Sequence, residues 1–325
     1  MRLRGGGFTV LLLASAAATV MLVLGFAGVA SGAPPPAAPP SAPHAGTTTP
    51  APELSLEPLP EPSPVPSPSP SPAPRSFAAL DAVVRARASQ SGATVGVSLV
   101  ELEGADAVTW SLAADTEFDA ASTYKLPLLM AEAQGIAGGT MSVGDRLCYR
   151  ASDYEDGWFD DYWTGSCFTR QELALRVGRY SDNTAARILV RDLGGPDLLN
   201  AYARAHGATE SAFWIPNTTT AADLARLWHD EVAGNAGGAT AQAWLYPLLT
   251  DTAFEEGVPA SLPNAAVVAH KVGEIDAVVT DAALVENGPH GGYVLVVMTD
   301  GLGGDAAWQL IAGISKQVWA FEQNR

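Results

Sequence analysis

The chain has 325 residues, with 18 Lys and Arg against 35 Asp and Glu, and a formal net charge of −17 at pH 7. This excess of negative charge repels phosphate backbones and anionic lipid surfaces, so nucleic acid is excluded as an expected partner. The charge does not by itself indicate a cationic ligand, because acidic surfaces commonly serve solubility alone.

The first 33 residues have the pattern of an export signal. Arg2 and Arg4 precede an uncharged run over 8–30, and the small residues over 31–33 suit a cleavage site. Because the run is also long enough to span a bilayer, a cleaved signal peptide and an uncleaved N-terminal membrane anchor are both open. Either alternative predicts an extracellular or cell-surface protein.

Residues 34–75 are rich in Pro, Ala and Ser and hold 17 of the 24 prolines of the chain. Such a segment has few large apolar side chains to bury, and it favours extended polyproline conformations. We therefore predict a disordered, semi-rigid linker that leads to a domain over 76–325. This length is enough for one large domain.

The apolar periodicity within 76–325 predicts a helix, two strands, a run of helices, three strands and a last helix. The first helix is expected at 77–89, the first strands at 93–103 and 107–112, the helices of the run at 124–134, 170–177, 184–192, 197–205, 221–231 and 242–249, the later strands at 265–271, 276–286 and 292–299, and the last helix at 306–321. This order is typical of an α+β fold in which the terminal strands share one antiparallel sheet and the helices pack beside it.

Cys148 and Cys167 are the two cysteines of the chain. An even count in an exported domain predicts one disulfide across a short loop, which in the chain-entropy account contributes about 3 kcal/mol. A metal site or a thiol nucleophile is the less favoured alternative.

The segment Ser122-Thr123-Tyr124-Lys125 places a hydroxyl and an amine on one helical face at the start of an apolar run. A serine hydroxyl is nearly inert at neutral pH, and a lysine activates it only if burial and neighbouring cations lower the pKa of the amine. Taken alone, the pattern is more typical of an ordinary helix start with Ser122 near the N-cap.

Two more short motifs follow. Ser181-Asp182-Asn183 supplies a second hydroxyl and an amide between two predicted helices, although all three residue types are also common N-caps. His270-Lys271-Val272-Gly273 is predicted to end an apolar strand, where a cation and a glycine suit a substrate that lies close to the sheet edge. Taken alone, the motif over 270–273 is more plainly interpreted as a lysine that leaves the core for solvent.

The combination of Ser-x-x-Lys, Ser-Asp-Asn and Lys-Thr-Gly is typical of class A β-lactamases and penicillin-binding proteins. From about Phe77 to its end, the chain resembles the class A β-lactamase-like serine hydrolases. The resemblance implies a β-lactamase-like α+β fold, with a five-stranded antiparallel sheet flanked by N- and C-terminal helices and an all-helical subdomain. It also implies acyl-enzyme chemistry on a small molecule or a cell-wall peptide, with no metal or organic cofactor, and a monomer is expected.

The matching positions imply catalytic roles for three residues. Ser122 is expected to be the nucleophile that accepts the acyl group, and Lys125 its base or a member of its proton network. Ser181 is expected to pass a proton to the leaving nitrogen.

The resemblance also implies a set of substrate-binding residues. Asn183 is expected to contact a side-chain amide of the substrate and to hold Lys125. Lys271 is expected to supply positive charge near the substrate carboxylate, and Gly273 to let the substrate approach the strand. The backbone N–H of Glu274, with that of Ser122, is expected to form the oxyanion hole.

Two features depart from the family pattern. The Glu-x-x-Leu-Asn loop, whose glutamate activates the deacylating water, has no match after the second motif, where Glu210 is the only carboxylate within 206–220 and lies too early. In addition, Val272 replaces the threonine of the third motif. The residues needed for acylation are therefore expected to be present, whereas deacylation is expected to be slow. A slow β-lactamase, a D-alanyl peptidase or transpeptidase, and an esterase remain as alternatives.

Three other interpretations are less favoured. A Ser-His-Asp hydrolase is disfavoured because the chain has no Gly-x-Ser-x-Gly elbow. The acidic and aromatic segment 152–163 is expected to be a disulfide-framed surface loop near the cleft rather than a calcium or sugar site, and at the rim it would favour cationic or wall-peptide substrates. A non-catalytic wall-binding module is disfavoured because a set of buried polar groups is costly to keep without a use.

Overall fold

The computed structural model of the chain describes residues 76–103 and 109–324. The expected signal peptide or anchor over 1–33 and the expected linker over 34–75 lie outside the described residues and stay predictions. Within the described ranges, no helix is both long and apolar enough to cross a membrane.

The main elements follow the predicted order along the described chain. The helices are α1 (Ala78–Ser91), α2 (Lys125–Ala137), α3 (Arg170–Tyr180), α4 (Asn183–Leu193), α5 (Pro196–Ala205), α6 (Ala221–Val232), α7 (Gly238–Leu245) and α8 (Gly304–Glu322). The strands are β1 (Thr94–Glu101), β2 (Thr109–Leu112), β3 (Glu117–Asp119), β4 (Arg146–Cys148), β5 (Cys167–Thr169), β6 (Thr218–Thr220), β7 (Val268–Ile275), β8 (Val278–Val285) and β9 (Tyr293–Asp300). Short 3₁₀ segments lie at Ala121–Tyr124, Ala151–Asp153, Tyr246–Leu248 and Pro259–Ser261.

Five strands form one antiparallel sheet in the order β2-β1-β9-β8-β7, which confirms the predicted α+β fold and its five-stranded sheet. Successive side chains of the central strand β9 face opposite sides of the sheet. Val294 and Val296 belong to one core, whereas Leu295 and Val297 belong to the other. Because both faces are covered, β9 has a continuous apolar sequence rather than an alternating one.

Helices cover both faces of the sheet. The terminal helices α1 and α8 pack against each other and against one face, where Leu80, Val84 and Ile311 are fully or almost fully buried. Helix α6 packs on the other face, and its buried Trp228 donates from Nε1 to the carbonyl of Ala282 at 3.1 Å. The predicted flanking of the sheet by N- and C-terminal helices is confirmed.

The helical subdomain is built around α2. Every residue from Lys125 to Ala133 is buried, and α3, α4, α5 and α7 pack around this helix. A helix that is apolar on all sides is stable only in a core, which is why its sequence lacks a polar stripe. Lys125, the first residue of α2, is therefore held by packing, and Ser122 lies in the turn just before it.

Several element boundaries differ from the prediction by a few residues, and two of these differences bear on the site or have a clear local cause. The helix expected at 242–249 ends at Leu245, because Pro247 lacks the N–H that a further helical turn needs, and a 3₁₀ turn follows. The strand expected to end at Lys271 continues to Ile275, so that Lys271 lies in its interior and pairs with Ala282 of β8. The prediction that Lys271 ends a strand is therefore wrong.

Two small ladders of three-residue strands were not predicted, because such strands are too short for a periodic pattern. In one of them, β3 pairs with β6. In the other, β4 pairs with β5, and Cys148 lies directly opposite Cys167. The two cysteines form a disulfide, as predicted.

Candidate active site

The nucleophile candidate lies in a 3₁₀ turn rather than at a helix N-cap. Residues Ala121–Tyr124 form the turn, α2 begins at Lys125, and no side chain caps α2. Side chains three residues apart eclipse each other in a 3₁₀ turn. Lys125 Nζ accordingly lies 2.9 Å from Ser122 Oγ. The interpretation of Ser122 as a simple helix cap is wrong.

The backbone before Ser122 is held in an unusual conformation. Ala121 has a φ of 44°, a left-handed value that is uncommon for a residue with a Cβ. Asp119 accepts from the backbone N–H of Ala121 at 2.7 Å, and Asn217 donates from Nδ2 to its carbonyl at 2.9 Å. These contacts fix the turn that points Ser122 into the cleft.

Lys125 is fully buried. In the described chain, every oxygen that is hydrogen-bonded to its amine is uncharged. Nζ lies 2.6 Å from the Ser181 carbonyl, 3.2 Å from Ser181 Oγ and 2.6 Å from Asn183 Oδ1. Burial lowers the pKa of Lys125 to about 7, and the charges of Asp182 and Glu155 offset this effect only in part. Near neutral pH, a large fraction of the amine is unprotonated and able to accept a proton.

The second motif places Ser181 between two lysines. Ser181 ends α3 with a left-handed φ of 55°, while Asp182 caps α4 by accepting from the Ala185 backbone at 2.8 Å. The N-cap interpretation therefore holds for Asp182. Ser181 Oγ lies 3.2 Å from Lys125 Nζ and 3.0 Å from Lys271 Nζ. A proton can thus pass along a chain of three polar groups.

The third motif packs directly behind the nucleophile turn. The Lys271 amine is buried, donates to the Val272 carbonyl at 2.9 Å, and has its pKa lowered well below the ordinary value by burial and by the charge of Lys125. Gly273 is required here, because a Cβ would lie 2.8 Å from the Ala120 carbonyl oxygen. Glu274, the next residue, is exposed.

These groups open onto a cleft of about 700 Å³. Four predicted site residues line it, namely Ser122, Ser181, Asn183 and Glu274, while Lys125 and Lys271 lie buried beneath it. The other lining residues are Asp156, Gly157, Trp158, Phe254, Val272 and Trp308. Phe254 and Trp308 were missed by the sequence analysis, since nothing local distinguishes them from aromatic residues of the core.

The acidic and aromatic loop over 152–163 forms one rim of this cleft. Asp182 holds it by accepting from Tyr162 Oη at 2.7 Å and from the Trp158 backbone at 3.1 Å. Asn183 Nδ2 donates to the Asp156 carbonyl at 2.8 Å. The loop is thus attached to the second motif. Within the described chain, no group of three or more His, Cys, Asp or Glu side chains is arranged to hold a metal ion.

The segment around Glu210 brings no carboxylate to the cleft. Glu210 is exposed and lines a different cavity, together with Asp115 and Arg226. Two residues of this segment contact the nucleophile turn. Asn217 donates to the Ala121 carbonyl and accepts from the Ala120 N–H at 2.8 Å, and the ring of Trp214 meets that of Tyr124 edge to face with centroids 5.8 Å apart. The prediction that a deacylating glutamate is missing here remains a prediction, which this placement supports.

A second buried charge cluster holds β7 from its other side. His270 is fully buried, with Nδ1 2.9 Å from Asp281 Oδ1 and Nε2 3.2 Å from Glu255 Oε1. Burial lowers the pKa of His270, but these two carboxylates outweigh it and raise the pKa to about 9. Glu255 follows Phe254 directly, so this cluster fixes the loop that carries one wall of the cleft.

Comparison with known proteins gives consistent matches. The profile of the β-lactamase enzyme family matches residues 78–321. β-Lactamase CTX-M-8 of Citrobacter amalonaticus is 30% identical over 225 residues, which cover 64% of this chain and 76% of that protein. The solved structure of PBP-A is 27% identical, with a TM-score of 0.72 over 78% of this chain and 99% of that chain. A point mutant of PBP-A, solved as an acyl-enzyme complex with penicillin G, is 26% identical, with a TM-score of 0.71 over 78% and 100%.

Proposed function

The chain belongs to the β-lactamase enzyme family and is a serine hydrolase of the class A β-lactamase-like type, and from this premise we propose that it forms an acyl-enzyme on Ser122 with a β-lactam or a related amide. The observation that carries the proposal is the 2.9 Å contact between Ser122 Oγ and the buried amine of Lys125, whose pKa is about 7. A nucleophile and a base matched to neutral pH are thereby in direct contact.

In the acylation step, Ser122 Oγ attacks the carbonyl carbon of the substrate and its proton moves to Lys125 Nζ. The negative charge that develops on the carbonyl oxygen is stabilised by the backbone N–H groups of Ser122 and Glu274, and such donors are typically worth about 3 kcal/mol each. The close packing of Gly273 on the Ser122 turn supports this assignment, because it fixes the two donor segments against each other.

The tetrahedral intermediate then loses its leaving group. The carbon–nitrogen bond breaks, Ser181 Oγ gives its proton to the leaving nitrogen, and Ser181 recovers a proton from Lys125. The contacts of Ser181 Oγ with both lysine amines support this relay. The products are an ester on Ser122 and an amine, which departs from an open-chain amide but stays attached to the acyl group of an opened β-lactam. Asn183 holds the substrate amide on the cleft side.

We propose that hydrolysis of this ester is slow. A water molecule must attack the ester carbonyl and give its proton to a base, and the segment over 206–220 supplies no carboxylate among the residues that line the cleft. The cleft carboxylates Asp156 and Glu274 lie on other segments, and Lys125 is the base in direct contact with Ser122 Oγ. A long-lived acyl-enzyme favours a penicillin-binding, peptidase or transpeptidase type of enzyme over an efficient β-lactamase.

The rest of the chain agrees with a role at the cell envelope. We propose that residues 1–33 direct export or form an anchor, that 34–75 act as a spacer, and that 76–325 are the catalytic domain working outside the cytoplasm as a monomer. Neither a metal nor an organic cofactor enters the proposed steps. A cell-wall peptide is the physiological substrate that this placement suggests.

The test is to incubate the protein with a fluorescent penicillin and to follow its intact mass over time, beside Ser122→Ala. An adduct that depends on Ser122 and persists for many minutes is expected. Rapid release of hydrolysed penicillin would show instead a β-lactamase with another deacylating base. If neither penicillin nor a fluorophosphonate probe labels Ser122, the acyl-enzyme proposal is wrong and a binding module becomes the better account.

A further inference from the structure

The cleft presents no exposed basic side chain to a substrate. Among the described residues that line it, none is Lys or Arg. The two lysines beneath the cleft are buried, and their amines are already bonded to Ser181, which links them. Burial also lowers the pKa of both amines, so each carries less positive charge at neutral pH than an exposed lysine does. An anionic substrate therefore meets little attraction here.

The corner of the cleft beside Lys271, where the resemblance places a substrate carboxylate, lacks the hydroxyl of the family's threonine. Val272 takes the place of that threonine, and it lines the cleft with Trp308; both side chains are largely buried. Lys271, which was expected to attract that carboxylate, turns its amine to Ser181 Oγ and to the Val272 carbonyl. A carboxylate bound in this corner would lose water without gaining equivalent hydrogen bonds, which is costly.

Two carboxylates line the cleft on different elements. Asp156 lies on the loop attached to Asn183, and its Oδ1 accepts from Tyr154 Oη at 2.6 Å. Glu274 lies on β7, beside the expected oxyanion donor. Both are exposed, so each repels an anionic group and attracts a cationic group across a short distance.

Aromatic faces complete the same surface. The rings of Trp158 and Phe254 meet edge to face with centroids 5.7 Å apart, and Trp158 remains 57% exposed. Together with Trp308, they line the same cleft as the two carboxylates. Aromatic faces attract ammonium and guanidinium groups, and neighbouring carboxylates strengthen the preference for a cation.

From this lining we infer that the preferred acyl donor carries an ammonium or guanidinium group close to the scissile carbonyl and no carboxylate next to the leaving group. The inference rests on the proposed function, because it concerns which acyl donors reach Ser122. It predicts that carboxylate-bearing β-lactams acylate Ser122 more slowly than a cationic peptide amide or ester does, while still forming the persistent adduct expected above. Asp156 and Glu274 are the residues that determine this charge preference.

The test uses three N-acyl-D-alanyl thioesters that differ only in the thiol. The thiols are thiocholine, 2-mercaptoethanol and mercaptoacetate, which give a cationic, a neutral and an anionic donor. Thiocholine is chosen because its quaternary ammonium cannot take the acyl group from the thioester sulfur, as a primary amine would. Each kcat/KM is divided by the rate at which hydroxide cleaves the same donor, so that differences in leaving-group reactivity cancel. At low salt, the cationic donor is expected to exceed the anionic donor by about tenfold or more.

The variants Glu274→Gln and Asp156→Asn each remove one charge and keep the shape of the side chain. Each is expected to lower the cationic-to-anionic ratio by about threefold to tenfold, and added salt is expected to lower it in the wild type. Asp160→Asn is the matched control, because it removes one charge from the same exposed loop at a residue outside the cleft lining. Its ratio should equal that of the wild type.

Failure of the inference and failure of the proposed function are distinguishable. If a fluorophosphonate labels Ser122 but the anionic donor reacts as fast as the cationic one, the charge preference is wrong and the acyl-enzyme proposal stands. An equal change of the ratio in Asp160→Asn and in the cleft variants would also overturn the charge preference. If no donor and no probe labels Ser122, the proposed function fails, and the inference fails with it.

Discussion

Arg170 and Lys125 are buried basic residues of the same helical subdomain, but they differ in the oxygens that surround them. Arg170 contacts the carboxylates of Glu132 at 2.5 Å and Asp192 at 2.7 Å. Burial lowers the pKa of Arg170, but the two carboxylates outweigh it and the pKa is raised. The neutral oxygens around Lys125 allow burial to lower its pKa to about 7. Carboxylate partners keep a buried cation charged, and neutral partners turn a buried amine into a base.

Removing the base should have the largest effect on the chemistry. Lys125→Met keeps most of the length of the side chain and an unbranched shape in α2, but it cannot accept the proton of Ser122. We expect the second-order rate of Ser122 acylation to fall about a thousandfold, since general bases contribute roughly 10²–10⁴. The rate is measured from the intact mass of the penicillin or fluorophosphonate adduct. Lys316→Met, at an exposed residue of α8, is the matched control and should acylate like the wild type. A Lys125→Met rate within about tenfold of the wild type would contradict the assignment of the base.

Removing the paired cation should affect stability rather than chemistry. Arg170→Met leaves the fully buried Glu132 without its ion-pair partner. Breaking a buried pair in this way typically costs about 3–5 kcal/mol, and we expect a loss of about 4 kcal/mol in the free energy of unfolding. Urea unfolding followed by circular dichroism measures the change. Arg85→Met, at an exposed pair with Asp81, is the control and should change stability little. Equal losses in the two variants would show that the burial of the pair is energetically unimportant.

His270 extends the comparison to a titrating cation held by carboxylates. Its pKa is about 9 in the folded protein against 6.5 for the ordinary group. A raised pKa gives a stabilisation that is complete below pH 6.5 and is lost as the pH rises towards 9. The loss should amount to about 3 kcal/mol. Lys125 contributes a slope of the opposite sign, because its pKa is lowered on folding.

The experiment therefore compares the wild type with His270→Gln in urea at several values of pH. The difference in unfolding free energy between the two proteins should shrink by about 3 kcal/mol from about pH 6 to about pH 9.5. A difference that is the same at both ends of this range would mean that the imidazole is neutral in the folded protein.

Local pattern predicted most of the fold but only part of the site. The spacing of Ser122 and Lys125 was informative because residues three apart meet in any helical turn, and the apolar runs of β8 and β9 had the length of buried strands. The end of β7 was misplaced, since Gly273 has the local signature of a strand end. The glycine at this position is required by a long-range contact instead, because its hydrogen faces the Ala120 carbonyl, where a Cβ has no room.

The residues that form the walls of the cleft could not be predicted from the local sequence pattern either. Phe254 comes from a loop held by the buried His270 cluster, and Trp308 comes from α8, which otherwise packs on the sheet. Each reaches the cleft only through tertiary packing, and the sequence around each resembles ordinary core or loop sequence. The lysine environments were equally hidden, because the sequence motif does not say whether a neighbouring oxygen is charged.

The comparison of Lys125 with Arg170 is tested most directly by giving Lys125 a carboxylate partner like those of Arg170. Asn183 Oδ1 lies 2.6 Å from Lys125 Nζ, so Asn183→Asp places a carboxylate beside the amine with almost no change of shape. A carboxylate at this distance should keep the amine protonated and raise the midpoint of the pH–rate profile for acylation from about 7 to roughly 8 to 10. At about pH 7, the rate should fall roughly fivefold to five-hundredfold, and it should recover as the pH is raised.

The substitution also removes the bond from Asn183 Nδ2 to the Asp156 carbonyl, which is 2.8 Å long. The position of the midpoint is therefore more informative than the rate alone. Asn183→Ala is the control, because it removes both contacts of the amide without adding charge, and it should leave the midpoint near about 7 or lower it. If Asn183→Asp and Asn183→Ala have the same midpoint, the uncharged oxygens around Lys125 are not what makes it a base.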